Sequence, residues 1–297
     1  MSPTFSFLPS PAELSPIELT RIIDTALAED LPSGDVTTRT VVPPDTIAEG
    51  SFVGREALVV AGIGVAAAVF ARLDPSITVV VMHGDGTRIA PGTTIARIKG
   101  PAHPVLAGER VALNFLQRMS GVATRTRAFV DALPPGSRTR ITDTRKTTPG
   151  LRALERYAVR CGGGHNHRND LGAGVLIKDN HIALCGSVKA AIERARANAP
   201  HPLRIEVEVD RMEYFDQAIE AGADVIMLDN FDDNQVAAAV RRVEQVHPRP
   251  VLEVSGGLTV QRVPFLAALG IDVLSVGAIT HSAPAVDIAL DLELRHP

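Results

Sequence analysis

At 297 residues the chain is long enough for two domains or one elaborated α/β domain, and its 45% hydrophobic content is ordinary for a globular fold. A net charge of −4 argues against general nucleic-acid affinity, and two cysteines, Cys161 and Cys185, cannot build a disulfide framework. No segment is apolar for long enough to cross a membrane and the start lacks the form of a signal peptide, so a cytoplasmic protein is expected.

The charge is unevenly spread. Nine Lys/Arg and three Asp/Glu lie between Arg138 and Lys178, a local +6 that leaves −10 for the rest of the chain. A solvated basic helix face and a site for an anionic ligand both fit that pattern.

The residues before Pro16, rich in Ser and Pro, read as a poorly fixed tail. A helix is expected around Leu19–Leu27, followed by the turn-rich run Leu31-Pro32-Ser33-Gly34-Asp35. Strands follow at Ala57–Ala61, Ile77–Met82 and Thr94–Ile98, with a helix near Val65–Leu73. A long amphipathic helix then runs from near Pro104 past Met119. Gly62-Ile63-Gly64-Val65-Ala66-Ala67 fits the dinucleotide pattern G-x-G-x-x-A, and Asp85 stands about where a ribose ligand would be sought. Yet His83-Gly84-Asp85-Gly86 reads as a hairpin turn and no parallel βαβ continuation follows. A helix that merely starts on small residues is the expectation.

From Arg138 short apolar strands alternate with helices. Strands are predicted at Thr139–Thr142, Val175–Ile177, Arg204–Val207, Asp224–Leu228, Val251–Val254 and Asp272–Val276. Helices are predicted at Leu151–Val159, Val188–Ala197, Met212–Ala221, Asn234–Val246 and Val260–Leu269. Such alternation means a doubly wound sheet or a (β/α) barrel. Polar residues at nearly every strand end favour the barrel, whose active-site rim is built from those ends. Six strands instead of eight predict an incomplete one.

Cys161, His165 and His167 are metal ligands by type, but their spacing matches no strong zinc pattern and Gly162 to Gly164 read as a flexible loop. Thr144-Arg145-Lys146, His167-Arg168 and Lys178 gather cations at two neighbouring strand ends. Arg forms bidentate pairs with carboxylates and phosphates, and Lys acts as a point charge. Pairing with helix carboxylates is the plainer alternative. Glu208 and Asp229, at the next two strand ends, suit Mg²⁺ on a phosphorylated substrate, or positive charge developing on a sugar, or simple neutralisation of nearby cations. The turns at Ser255-Gly256-Gly257 and Gly277 offer backbone N–H groups to phosphate. Together these describe a small polyanion, phosphate included, bound in a barrel mouth.

The block Asp143-Thr144-Arg145-Lys146-Thr147-Thr148-Pro149-Gly150, continued by Tyr157-Ala158-Val159, Gly162–Arg168 and Leu176–His181, resembles the quinolinate phosphoribosyltransferase family. Shorter likenesses at Glu29–Leu31, Gly34–Thr38, Glu109–Asn114, Glu206–Val209, Met227–Asn230, Glu253–Gly257 and Ser275–His281 extend it over nearly the whole chain. Arg156 stands where lysine would be expected. The resemblance implies an open-faced α/β sandwich over residues 1–118, with the tail from about 283 to 297 packed on it, and an incomplete (β/α) barrel over 119–282. It also implies a homodimer, or a larger assembly of dimers, whose sites are completed across the interface.

The implied reaction takes quinolinate and phosphoribosyl pyrophosphate to nicotinate mononucleotide, pyrophosphate and CO₂, with Mg²⁺, in de novo NAD biosynthesis. By the same resemblance, Thr144, Arg145, Lys146, His167, Arg168 and Lys178, with the partner's Arg110, hold quinolinate. Glu208 and Asp229 face the ribose and the metal, and Lys146, Lys178, Glu208 and Asp229 are the catalytic set. Ser255, Gly256 and Gly257, with Gly277, Ala278 and Ile279, receive the 5-phosphate near His281. Two alternatives remain: a relative acting on another nucleobase or acceptor, and a non-catalytic phosphometabolite-binding barrel.

Overall fold

The structure, a computed structural model, describes residues 14–293. Apart from Leu14 and Ser15, the tail expected before Pro16 lies outside those residues. One compact unit comprises the described chain up to Arg127 with Thr147–Gly163 and Ile279 onward; the other comprises Ala128–Lys146 and Gly164–Ala278. The first unit thus also takes in two segments from beyond the boundary expected between 118 and 119. A helical segment from within the expected barrel belongs to the first unit.

The first unit contains α1 (Pro16–Asp30), α2 (Val36–Val41), β1 (Ile47–Gly54), β2 (Leu58–Val59), α3 (Ile63–Leu73), β3 (Thr78–Val81), β4 (Arg88–Ile89), β5 (Thr93–Pro101), most of α4 (Ala102–Asp131) and α5 (Arg152–Cys161). The C-terminal strand Ile288–Leu292, β1, β5 and β3 form an antiparallel sheet in that order, and β2 pairs with β4 separately. Burial alternates along β1, so Phe52 faces inward and meets Phe70 of α3 with ring centroids 6.0 Å apart. Because β3 pairs with β5 and β4 with β2, the turn at His83–Gly86 is not a hairpin.

Asp85 is structural. Its Oδ1 accepts the Ile63 N–H (3.1 Å) at the start of α3, and its Oδ2 accepts the Tyr157 hydroxyl (2.7 Å). At Gly62 (φ 96°) an added Cβ would come within 2.6 Å of the Met119 sulfur, so that glycine serves close packing. Arg118 on α4 donates to the buried Glu155 of α5 (2.7 Å) and to the carbonyls of Thr280 and Ala283. Those bonds tie α5 and the chain's end into this unit.

The second unit contains β6 (Arg140–Thr142), β7 (Val175–Ile177), α6 (Asp179–Cys185), α7 (Val188–Asn198), β8 (Ile205–Val209), α8 (Met212–Glu220), β9 (Val225–Asp229), α9 (Asp233–Val243), β10 (Val251–Ser255), α10 (Val263–Ala268) and β11 (Val273–Ser275). The strands form one parallel sheet in the order β6-β11-β10-β9-β8-β7. Arg140 from one edge strand and Val175 from the other line the same cavity, so the sheet is curled. Its edges do not pair with each other, and only an isolated bridge from His165 to Thr142 extends it. This is the incomplete (β/α) barrel expected. The predicted helix Val260–Leu269 resolves into a 3₁₀ turn, Val260–Arg262, followed by α10 with Pro264 in its first turn.

Alternation along parallel strands in register sets the barrel's inner face. Glu206 and Glu208 of β8 point inward, as do Met227 and Asp229 of β9 and Glu253 and Ser255 of β10. On each strand the later residue stands at the rim and the earlier one deeper.

Candidate active site

At the C-terminal strand ends of the barrel unit lies a cavity of about 480 Å³. Its lining includes Thr144, Arg145, Lys146, His167, Arg168, Lys178, Glu208, Asp229, Ser255, Gly256 and Gly257, all expected, together with Leu176, Met227, Asn230 and Ser275. An opening of this size fits a small ligand at the rim where barrels carry their sites.

The basic wall is pinned from below. Asp143, fully buried just after β6, accepts the Asn166 side-chain amide (2.6 Å) and the backbone N–H of His167 (2.7 Å). That fixes the segment from which His167 and Arg168 reach the cavity. Arg168 donates to the Gly174 carbonyl (2.9 Å), and burial together with the like charge of Arg145 depresses its pKa.

The opposite wall is acidic. Lys178 Nζ lies 2.9 Å from Glu208 Oε2, bridging the ends of β7 and β8. Asp229 accepts the Asn230 side-chain amide at 2.8 Å. Burial and the neighbouring charge of Glu208 push Asp229 up, against the pull of Lys146 and Lys178. The next turn carries two left-handed glycines, Gly256 (φ 89°) and Gly257 (φ 57°), where backbone N–H groups can approach a phosphate closely.

Beneath His167 sit Glu206 and Glu253. Each brings a carboxylate oxygen 3.4 Å from the ring Nε2. Burial by itself would lower the pKa of His167, but its bonds to the two carboxylates outweigh that and push it up to about 10. Burial also raises Glu206, and Glu253 adds to the effect.

The family models for the N-terminal and C-terminal domains of quinolinate phosphoribosyl transferase match residues 35–120 and 122–291. The chain belongs to this family. A carboxylating nicotinate-nucleotide pyrophosphorylase of Mycobacterium leprae is 45% identical over 273 residues, which cover 91% of this chain and 95% of that protein. The human enzyme of the same name is 36% identical over 280 residues, covering 94% and 93%. The crystal structure of NadC from Streptococcus pyogenes superimposes with a TM-score of 0.89 at 40% identity, covering 95% of this chain and 98% of that one.

Not every residue carried over from the quinolinate phosphoribosyltransferase pattern lines the cavity. Gly277 and Ala278 follow β11 in the barrel unit but are outside the lining. Ile279, buried, and His281, exposed, belong to the first unit. So does Arg110, which is exposed on α4. Cys161 is buried on α5, while His165 makes backbone bonds to Ile141 and Asp143.

Two groups of side chains could hold a cation. Mg²⁺ prefers oxygen ligands, and Glu208 with Asp229 offers carboxylates whose mutual repulsion a cation would relieve. The cluster of His167, Glu206 and Glu253 suits it less, because one ligand is nitrogen and Glu253 Oε1 already accepts the Ser275 hydroxyl.

Proposed function

We propose that the barrel cavity binds quinolinate and phosphoribosyl pyrophosphate together, and that the chain works as a carboxylating nicotinate-nucleotide pyrophosphorylase. It transfers the phosphoribosyl group to the pyridine nitrogen and releases pyrophosphate and CO₂, giving nicotinate mononucleotide for NAD biosynthesis. The observation that carries this is the convergence of Arg145, Lys146, Arg168 and Lys178 on the same cavity as Glu208 and Asp229, in a chain of this family.

Quinolinate carries two adjacent carboxylates, and the cations of the basic wall bind and orient them. As pyrophosphate departs, the ribose carbon gains positive character, which Glu208 and Asp229 stabilise electrostatically. Attack by the ring nitrogen makes a pyridinium. Its charge stabilises the carbanion left when CO₂ departs, and a proton then takes the vacated carbon. Positioning and electrostatics do the work without a protein nucleophile. Glu208 and Asp229 are the residues to hold Mg²⁺, which when bound neutralises charge on the pyrophosphate. The glycine turn after β10 is the seat for the 5-phosphate, with Gly277 and Ala278 of the same unit as further contacts.

The active unit in this reading is a cytoplasmic homodimer, or an assembly of dimers, in which the partner's Arg110 completes the quinolinate pocket. Exposure of Arg110 on α4 is consistent with that role. Among the described residues no helix is long and apolar enough to cross a membrane. Incubation with quinolinate, phosphoribosyl pyrophosphate and Mg²⁺ should yield nicotinate mononucleotide, identified by mass. A folded protein that makes none would refute the assignment.

A further inference from the structure

Glu206 and Glu253 are inward-facing acids to which the reaction above assigns no task. Neither lines the reaction cavity; both face a second cavity of about 580 Å³ that reaches the N-terminal strand ends, and His167 lines the two. Glu206 is 8% exposed and Glu253 3%, and Glu206 Oε1 is buried without a hydrogen-bond partner. Two carboxylates so placed are costly unless a cation faces them. The Nε2 edge of His167 does, 3.4 Å from each.

The grip extends across the sheet. The Ser275 hydroxyl bonds to Glu253, and the Thr142 hydroxyl lies 2.7 Å from that of Ser275. The charged groups around the ring are Glu206 from β8, Glu253 from β10, Asp143, which holds the backbone N–H of His167, and Arg168 with Arg145 beyond it. One contact opposes a second ring proton: the Arg168 N–H donates to Nδ1 at 2.7 Å. A single neutral hydrogen bond is a smaller effect than two close charge pairs in a buried setting. A proton on Nδ1 requires the backbone N–H of Arg168 to turn away, because two donors cannot face each other at 2.7 Å, and a carboxylate brought to Nδ1 then accepts the new proton.

We propose that Glu206 and Glu253 are positioning residues, which grip Nε2 of His167 from two strands so that the ring meets a substrate carboxylate with both nitrogens protonated. This rests on the quinolinate reading above, which supplies that carboxylate. The two acids act through His167 and without touching the substrate themselves.

Glu206→Gln and Glu253→Gln, singly and together, test the role by steady-state kinetics at about pH 6 and about pH 8.5. Without the two charges burial is left to act alone, so the ring falls below its ordinary value near 6.5 and is neutral at the higher pH. The KM for quinolinate in the double variant should rise about tenfold or more at pH 8.5 and by less at pH 6, with kcat changing less than KM. An equal rise at both pH values, or none at either, overturns the proposal. Wild-type protein with ¹³C-labelled histidine rings, its His167 signal assigned through His167→Asn, gives a readout that needs no folded double variant. The ring should remain doubly protonated at pH 8.5, and a titration midpoint below 7 overturns the role. A wild type that turns over quinolinate while His167 titrates low loses only this role; one inactive on quinolinate loses the substrate assignment instead.

Discussion

Asn230 and Gly256 lie against each other at the cavity mouth, both in left-handed backbone, at φ 57° and φ 89°. A Cβ on residue 256 would run into the Asn230 side-chain amide and come within 3.0 Å of its backbone nitrogen. The same Asn230 donates its backbone N–H to Ser255 (3.1 Å) and its side-chain amide to Asp229 (2.8 Å). Gly256→Ala therefore has to move a residue that orients Asp229, the carboxylate proposed to be catalytic. Turnover should fall by about 100-fold, the scale of a misplacement near 1 Å. Retention of more than half the wild-type rate would show that the turn tolerates the displacement.

Glu208 and Asp229 should matter more for turnover than for binding. Glu208→Gln and Asp229→Asn are each expected to lower kcat by about 100-fold or more, if the charge acts mainly in the transition state. Quinolinate affinity, measured by calorimetry, should change much less. Unchanged turnover in both would reduce them to ion-pair partners of Lys178 and Lys146.

Arg118 and Glu155 predict a stability effect away from the cavity. Glu155 is fully buried and accepts the Arg118 guanidinium (2.7 Å), the Thr148 hydroxyl (2.7 Å) and the Thr148 N–H (3.1 Å). Glu155→Ala leaves all three donors without their acceptor, at a cost of about 3 kcal/mol. Denaturant unfolding reads this directly, and a loss below about 1 kcal/mol would mean that water replaces the carboxylate.

Arg110 tests the proposed sharing of sites between two chains. Arg110→Ala and Lys178→Ala should each be nearly inactive alone. If sites are shared, a mixed dimer has one site with both lesions and one with neither. Unfolding, mixing and refolding equal amounts should then restore about a quarter of wild-type activity. Mixed dimers that form but show no recovery would leave Arg110 outside the site.

Much of this was legible in the sequence, and the parts that were not share a cause. Polar strand ends pointed to Lys178, Glu208 and Asp229, because a rim residue breaks an apolar run. Glu206 and Glu253 sit inside their strands, where they look like interruptions of the core. Counting back two residues from Glu208 and Ser255 along an alternating strand would have found them. Strand β1 was hidden by Gly50, Ser51 and Gly54, and one of its partners is the strand at the far end of the chain. Helix α6 has seven residues, too few for a period to register. The placement of α5 in the first unit depends on Arg118 meeting Glu155, a contact between residues 37 apart that no local pattern encodes.

The most direct test of the assignment is competition between quinolinate and nicotinate as acceptors, with phosphoribosyl pyrophosphate and Mg²⁺ in excess. A cavity that gathers Arg145, Lys146, Arg168 and Lys178 favours a ligand with two carboxylates over a ligand with one. Quinolinate should be favoured by at least about 100-fold in kcat/KM, with one CO₂ released for each nicotinate mononucleotide formed. Equal efficiency with nicotinate, or product formed without CO₂, would contradict it.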